Sequence, residues 1–375
     1  MGNFNDLEDF NLDFSLEDIK IDAEEGSDND IAIIGMSLRT PCGEDINEFW
    51  NKIQEGFDFI GDLPKDREED VVRYFNFINN KENEKFKYFK GAYLEDIDKF
   101  DYKFFNMRPK EAELMDPYQR IFLQNTFKAI EDAGYGGDRL KKTDTGIFVG
   151  YGGNMKDSYQ KIIFDVDPKA IPLSFVGNMN GFIGSRISYL LDLRGPSMLI
   201  DTTCASSLTA VHTACQSLIN GECSMAIAGS IRLNIIPVDN DVYRMGVESK
   251  DYVTRTFDKN CDGFGIGEGV VSIVLKPLKR AVYDKDSIYA VIKGSSVNQG
   301  GNSMALTATN PEAQTEVIKR AWRSSGIEPE SIELIEAHGT GTNLGDPIEI
   351  KGDFPSSPLS PLSPLSPLID AYHSS

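Results

Sequence analysis

A chain of 375 residues with 40% hydrophobic content is long enough to bury a substantial core, and its length allows one to three domains. Its net charge of −21 argues against nucleic-acid binding, which requires a dense cationic surface. No apolar run approaches the ~18 residues needed to cross a bilayer, and the acidic N-terminus is unlike a secretory signal. We therefore expect a cytoplasmic protein that does not insert into a membrane.

The cysteine content narrows the class further. The five cysteines are odd in number and lack paired C-x-x-C spacing. This pattern indicates neither a disulfide framework nor a zinc site. We expect reduced thiols and no bound metal.

Along the chain, residues 1–29 are rich in Asp, Glu and Asn and predict an acidic linker with at most a short helix. From residue 30 to about 285, strand-like and helix-like runs alternate, which is typical of a layered α/β fold. The predicted strands cover residues 31–35, 146–150, 198–201, 225–229 and 269–275. A helix is predicted from Pro117, with apolar residues at positions 121, 122, 129, 130 and 133, ending before Gly134.

A second helix is predicted over residues 205–220. Its apolar side chains recur at spacings of three and four and predict one buried stripe, formed by Leu208, Val211, Cys215 and Leu218. Cys215 is therefore expected in the core. His212 is expected to be hydrogen-bonded within the domain.

The alternation begins again after about residue 286. It predicts a strand over 288–294, a helix over 312–324, a strand over 332–337 and a helix from 343 onward. Residues 353–375 then contain four consecutive Ser-Pro-Leu triplets. Because a proline at every third position forbids a helix or an interior strand, this tail is predicted to be extended and solvated.

The most informative motif joins the strand-like run ending at Ile200 to the helix that follows. Residues 201–207 read DTTCASS, so Cys204 lies at a strand-to-helix junction among small residues. Unpaired N–H groups and partial positive charge at the start of a helix favour a thiolate over a thiol. Cys204 is the candidate nucleophile, although most cysteines are simply small buried residues.

A second motif, EAHGTGT at residues 336–342, follows the strand-like run over residues 332–335. It places His338 near a strand end, in a loop whose glycines permit close approach to a ligand and whose threonines offer hydroxyl groups. A thiol and a distant imidazole form a weak pattern alone, because cysteine proteases share it. The two motifs together are far more specific.

DTTCASS and EAHGTGT together resemble the ketosynthase domain of modular type I polyketide synthases, in the thiolase superfamily. The resemblance runs from about residue 29 to 351, and further matching segments lie at 30–36, 115–120, 178–196, 257–269 and 345–349. The chain departs from the usual family text at Tyr118, where glutamine is common, and at Ala205, where serine is common.

The resemblance implies a thiolase-like layered α-β-α-β-α fold, with the first half complete and the second half only partly present. The first half would occupy residues 30–285, and the start of the second half residues 286–352. The tail at 353–375 has no counterpart in that fold. In the family, the sequence would continue into a Lys-x-Asn-x-Gly-His motif that supplies another active-site histidine. The residues around His373 do not match that motif.

By the same resemblance, Cys204 would take an acyl chain from an acyl carrier protein for decarboxylative Claisen condensation with a malonyl-type extender. His338 would assist decarboxylation, and Thr340 and Thr342 would bind the pantetheine arm. The domain would bind no cofactor of its own, because its substrates are carried on phosphopantetheine. Its partners would be the carrier protein, other synthase modules and, in the complete protein, a second copy in a homodimer.

Because the matching text stops near residue 352, we expect this chain to load an acyl group at best and not to condense. Two alternatives stay open. The chain is a catalytically inert fragment that keeps only docking or dimerisation surfaces, or it is a condensing enzyme of the thiolase type that uses free coenzyme A.

Overall fold

The computed structural model describes residues 27–80, 85–152, 159–240, 246–303 and 309–353. The predicted linker, apart from residues 27–29, and all of the tail except residue 353 lie outside these ranges. No helix within the described ranges is both long enough and apolar enough to span a bilayer.

The strands of the described residues form one large sheet and one small one. They are β1 (Ile31–Arg39), β2 (Gly91–Ala92), β3 (Thr145–Tyr151), β4 (Ser197–Ile200), β5 (Met225–Arg232), β6 (Ile266–Gly267), β7 (Gly269–Pro277) and β8 (Ala290–Ile292). The large sheet has the order β4-β3-β5-β7-β1-β8, and β2 pairs with β6. Strands β4, β3 and β5 are parallel to one another, whereas β7, β1 and β8 pair antiparallel with their neighbours.

Eleven α-helices form in the described residues. They are α1 (Ile46–Gln54), α2 (Lys65–Asn79), α3 (Pro109–Glu113), α4 (Pro117–Asp132), α5 (Tyr159–Val166), α6 (Ile171–Asn178), α7 (Phe182–Leu191), α8 (Ser206–Ile219), α9 (Leu278–Asp284), α10 (Pro311–Ser325) and α11 (Gly345–Asp353). Helices α4, α7 and α8 cover the two faces of the large sheet. Short 3-10 turns occupy Pro168–Ala170, Thr203–Ala205 and Pro329–Ser331.

Side-chain alternation along the strands assigns each helix to a face. On one face, α8 packs through small side chains such as Ala210 and Ala214 against Phe148 and Ala228. On the other face, α4 and α7 cover a larger cluster that contains the β3 residues Ile147 and Val149. Successive residues of β3 therefore enter opposite cores, as the two-residue period of a strand requires.

The predicted α/β alternation is confirmed over residues 30–285, within the described ranges. Each of the five predicted strands coincides with a strand of the large sheet, within a few residues at its ends. The helix predicted from Pro117 is α4, and its capping residue Asp116 accepts a hydrogen bond from the Tyr118 N–H. The helix predicted over 205–220 is α8, preceded by one 3-10 turn.

One part of the predicted stripe on α8 is wrong. Leu208 is 76% exposed, whereas Cys215 and Leu218 are buried as expected. The spacing of the large apolar residues could not identify the face of α8 that meets the sheet, because small residues, among them Ser206 and Ala210, pack on that face. Such residues let the helix axis approach the strands closely.

The second sheet that the sequence predicts is not formed by the described residues. The strand predicted over 288–294 shortens to β8 and pairs with β1 at the edge of the first sheet. The strand predicted over 332–337 is not a strand, and Leu334 is 79% exposed. The helices predicted in the same part of the chain do form, as α10 and α11.

Candidate active site

Cys204 lies on an exposed turn between β4 and α8. It is the middle residue of the 3-10 turn Thr203–Ala205, which leads directly into α8. Because β4 is parallel to β3 and Ile200 pairs with Gly150, this turn stands at the carboxyl ends of both strands. The structure therefore places Cys204 at an accessible strand-to-helix junction, as the sequence predicts.

The backbone of this turn is strained beside the cysteine. Thr203 has a φ of 55°, in the left-handed region that β-branched residues strongly avoid. Hydrogen bonds hold it there: the Thr203 N–H donates to Asp201 Oδ1 at 3.0 Å, and Ser206 Oγ donates to the Thr203 carbonyl at 2.7 Å. Ser206 Oγ also accepts from the Thr202 N–H at 2.9 Å. A buried serine thus fixes both sides of the turn that presents Cys204.

A glycine on the neighbouring strand lets α8 start at this position. A Cβ added to Gly150 would lie 2.6 Å from the Ser206 carbonyl oxygen. Since real Cβ atoms do not approach that closely, a side chain at residue 150 would push the first turn of α8 away from the sheet. The strand–turn–helix junction therefore depends on a residue more than 50 positions upstream of Cys204.

The other described cysteines have different surroundings. Cys215 and Cys223 are buried, and burial raises the pKa of each thiol to about 11. Cys261 is also buried, and its pKa is raised chiefly by burial. These three thiols are shielded from solvent, whereas Cys204 is the exposed cysteine of the described residues.

His338 lies on an exposed loop that packs against the segment around residues 255–263. Thr256 Oγ1 donates to the Gly339 carbonyl at 2.6 Å, and the Gly263 N–H donates to the Gly341 carbonyl at 2.9 Å. Gly339 and Gly341 have φ values of 54° and 65°, and a Cβ on Gly339 would meet Thr256 at 2.6 Å. Both glycines are thus required by the turn and by the close approach.

Two acidic side chains hold the ends of this loop. Glu349, on α11, accepts from the backbone N–H groups of His338 and Gly339. The fully buried Asp346 accepts from the Gly341 N–H at 3.0 Å and from the Phe257 N–H at 2.7 Å. Asp346 therefore connects the histidine loop to the segment over residues 257–269.

The two predicted threonines face each other within the loop. Thr340 Oγ1 lies 3.1 Å from Thr342 Oγ1, and Thr342 Oγ1 accepts from the Gly345 N–H at 3.0 Å. The hydroxyl pair caps the start of α11, and this contact uses part of the hydrogen-bonding capacity of the two hydroxyl groups. The imidazole of His338 makes no hydrogen bond within the described part of the chain.

The structure groups His338, Thr340 and Thr342 in one loop and places Cys204 on a separate turn. No hydrogen bond joins the loop to the turn among the described residues. His212 has the structural role predicted for it, because its Nδ1 lies 2.8 Å from Ser295 Oγ. Its pKa is lowered by burial, which favours the neutral imidazole.

Sequence reasoning missed three residues that shape these sites. The side chains of Ser206, Asp346 and Glu349 each accept hydrogen bonds from backbone N–H groups of the turn or loop that they support. The only available signal was position: Ser206 lies inside DTTCASS, and both acids lie inside the word GDPIE at 345–349.

Two protein-family models match the sequence in the regions that contain these motifs. The family model for "Beta-ketoacyl synthase, N-terminal domain" matches residues 28–281, and that for "Beta-ketoacyl synthase, C-terminal domain" matches residues 289–353. Cys204 falls within the first match, and His338 falls within the second.

Curated relatives are large synthases. The chain is 41% identical over 331 residues to polyketide synthase PksL of Bacillus subtilis, covering 86% of this chain and 7% of that protein. It is 39% identical over 324 residues to erythronolide synthase EryA2 of Saccharopolyspora erythraea, covering 85% of this chain and 9% of that protein. The chain thus spans less than a tenth of the length of these relatives.

Solved structures of single domains show the same fold. A ketosynthase from module 6 of the bacillaene synthase of Bacillus subtilis superposes with a TM-score of 0.74 at 38% identity, covering 86% of this chain and 53% of that one. An oxazolomycin ketosynthase domain from Streptomyces albus gives a TM-score of 0.73 at 34% identity, covering 86% and 57%. These similarities confirm the predicted thiolase-like α/β fold.

Proposed function

The chain belongs to the beta-ketoacyl synthase family, and from this we propose that Cys204 accepts an acyl group from the phosphopantetheine thioester of an acyl carrier protein. The observation that carries the proposal is the exposure of Cys204 on a strained turn immediately before α8. An accessible thiol at the amino end of a helix is suited to nucleophilic attack.

In the loading step, the Cys204 thiolate attacks the carbonyl carbon of the incoming thioester. The carbonyl oxygen becomes an oxyanion, for which backbone N–H groups at the start of α8, including that of Cys204, are the nearest donors by position. The bond to the pantetheine sulfur then breaks, and the released thiolate takes up a proton. The covalent thioester divides a difficult condensation into two easier steps.

We assign the second substrate to the histidine loop. His338 would polarise the carbonyl of a malonyl-type extender during decarboxylation, and the hydroxyls of Thr340 and Thr342 would hydrogen-bond the pantetheine arm. The exposure of His338 and its unengaged imidazole support this assignment. Of the three histidines in the sequence, His212 is engaged with Ser295 and His373 lies outside the described residues. We therefore propose His338 as the histidine that acts on the extender, and acyl loading at Cys204 as the first reaction of this chain.

The proposal is tested by incubating the chain with hexanoyl-pantetheine and measuring its intact mass. One hexanoyl adduct is expected, and Cys204→Ala should abolish it. Cys42→Ala is the matched control, since Cys42 is also partly accessible but lies in the turn that precedes α1 rather than in the turn that precedes α8; it should leave the adduct unchanged. An adduct that survives Cys204→Ala would refute the assignment.

The same assay separates the alternatives. Adding malonyl-pantetheine to the loaded chain should give no ketoacyl product if the chain loads without condensing. Absence of any adduct would favour a fragment that keeps only docking or dimerisation surfaces. Faster loading from hexanoyl-coenzyme A than from a hexanoyl carrier protein would favour a thiolase-type condensing enzyme that uses free coenzyme A.

We further propose that a second copy of the chain covers the free edge of β4. Within the described residues β4 is an edge strand, and its neighbours expose large apolar side chains. Exposed large apolar side chains on α6, α7, β4 and α8 include Leu173, Phe175, Tyr189, Met198 and Leu208. An apolar surface beside an unpaired strand edge favours association. Sedimentation equilibrium should show a dimer, and Met198→Lys should shift it toward the monomer.

A further inference from the structure

A cavity of about 740 Å³ lies apart from both parts of the candidate active site. It is bounded by α2, α3, α5 and the loop over residues 95–102, and it includes neither the Cys204 turn nor the His338 loop. Its volume falls within the ~300–1,000 Å³ typical of small-molecule sites. One part of its wall is apolar, formed by Val71, Ile97, Phe100, Pro117, Ile162 and Ile236, and charged side chains line much of the rest.

Among the charged side chains that line the cavity, one is buried and lacks a charged partner. Arg120, on α4, is only 7% exposed. Its Nη1 donates to the Asp98 carbonyl at 3.1 Å, and its guanidinium lies 5.8 Å from the ring centre of Tyr159. Its buried Nε has no hydrogen-bond acceptor, and no carboxylate forms an ion pair with Arg120 among the described residues.

Such an arrangement is unfavourable without a further group. A buried guanidinium that keeps an unmade hydrogen bond bears a desolvation cost that its neighbours do not offset. The contrast with Arg67 is direct, because Arg67 is equally buried but makes two hydrogen bonds to the carboxylate of Glu268. The motif residue Arg120 thus has unused hydrogen-bonding capacity for one acceptor, and hydrogen bonds from a guanidinium are strongest when the acceptor is anionic.

The charges around the cavity restrict which anion is acceptable. The exposed charged side chains that line it carry both signs: the carboxylates include Asp66, Asp70, Glu95 and Asp96, and the ammonium groups are those of Lys65 and Lys99. Because the carboxylates outnumber the ammonium groups, ligands with several negative charges, such as phosphate esters, are disfavoured. Asp116, one turn before Arg120, is the nearest carboxyl group on the same helix segment and contributes electrostatically to it. A ligand with one negative charge and an apolar body meets both conditions.

We propose that this cavity binds a small carboxylic acid with an apolar body, whose carboxylate accepts hydrogen bonds from the Arg120 guanidinium. The apolar body lies against Val71, Ile97 and Ile162, where it replaces water by hydrocarbon contact. The site is separate from the proposed loading reaction, so neither proposal depends on the other.

The test compares three eight-carbon probes on the wild-type chain by saturation-transfer NMR with competition titrations at pH 7.5. Octanoate is expected to bind at least about tenfold more tightly than octanol, because a hydrogen bond to a charged group is worth that much. Octyl phosphate is expected to bind more weakly than octanoate. Equal affinity for octanoate and octanol, tighter binding of octyl phosphate, or no octanoate binding at millimolar concentration would each overturn the proposal.

Two variants locate the ligand. Arg120→Met should reduce octanoate affinity to that of octanol while leaving octanol binding unchanged. Ile162→Phe fills the apolar wall without touching the guanidinium, so it should weaken both probes about equally. The matched control is Arg186→Met, because Arg186 is a nearby arginine that already pairs with Glu111 at 2.9 Å and does not line the cavity. Octanoate binding that survives both Arg120→Met and Ile162→Phe would place the ligand elsewhere and refute the proposal.

Discussion

Two regions of this chain use secondary structure in different ways. The sheet region, residues 27–292, buries every residue of β3 and eleven of the 16 residues of α4. The C-terminal segment, residues 293–353, contains α10, in which none of the 15 residues is buried. Both regions carry motifs of the candidate active site, but only the sheet region has a core of its own within the described residues.

The difference shows which elements need a partner. A helix satisfies its backbone hydrogen bonds internally, so α10 forms from local signals: Asn310 caps its start and Gly326, with a φ of 66°, ends it. A strand must pair with another strand to satisfy the same groups. The predicted helices of the C-terminal segment therefore form, whereas residues 332–337 are not a strand.

The largest expected contrast between the regions is in hydrogen exchange. Amides at the centre of β3 and β5 exchange only when the sheet opens, while those at residues 332–337 make no strand ladder and should exchange by local fluctuation. For an ordinary domain stability the rates should differ at least about a thousandfold. Hydrogen-exchange mass spectrometry checks this, and comparable protection in both peptides would break the comparison.

A matched pair of core substitutions should sharpen the contrast. Ile227→Ala, at a fully buried site on β5, should lower the free energy of unfolding by about 2–5 kcal/mol. Ile335→Ala removes the same atoms from a side chain that is 44% exposed and should cost less than about 0.5 kcal/mol. Urea unfolding of both variants gives the measurement. A cost above about 1.5 kcal/mol for Ile335→Ala would show that this segment packs more tightly than its exposure indicates.

The same contrast explains how much the sequence could predict. Strands β3 and β5 were predictable because each is a short apolar run that alternates with helical patterns. Cys204 and the His338 loop were predictable as motifs. Leu208 was misassigned, because periodicity finds a stripe but cannot say whether the small or the large residues of a helix meet the sheet.

Long-range contacts to backbone groups were beyond prediction. Asp346 accepts from the Phe257 N–H across 89 residues, and Ser206 fixes a turn whose left-handed residue, Thr203, carries no sequence signal for that conformation. The partner of a backbone amide leaves no trace in side-chain pattern, so only the fold reveals it. This is why the outline of the site was visible in the sequence and its supports were not.

The sheet region should also carry a pH-dependent contribution to stability at Asp116. Burial raises the pKa of this carboxyl to about 6 from its ordinary 3.8, although Arg120 opposes the shift. Because the folded-state pKa is raised, the neutral carboxyl favours folding below about pH 4, and this contribution is lost as the pH rises through 6. The loss amounts to about 2–3 kcal/mol at pH 7.

Asp116→Asn removes this titration while keeping an acceptor for the Tyr118 N–H. The variant should be more stable than wild type by about 1–3 kcal/mol at pH 7 and nearly equal to it at pH 4. Asp45→Asn, at the exposed cap of α1, is the matched control. Thermal unfolding at both pH values supplies the comparison, and an equal pH dependence for the two substitutions would contradict the assignment.

The smallest effect on global stability should come from the contact that joins the two regions. Asp346→Ala leaves the N–H groups of Gly341 and Phe257 without their acceptor, which should release the loop at 338–342 from the sheet region. If the C-terminal segment opens independently of the sheet, urea unfolding of the sheet should change by less than about 0.5 kcal/mol, while exchange in the loop accelerates. A destabilisation of the sheet by about 2 kcal/mol or more would instead mean that the regions unfold together. Because Asp346 is the buried group that spans the two motifs, this one substitution decides whether the histidine loop is held by the sheet or only rests against it.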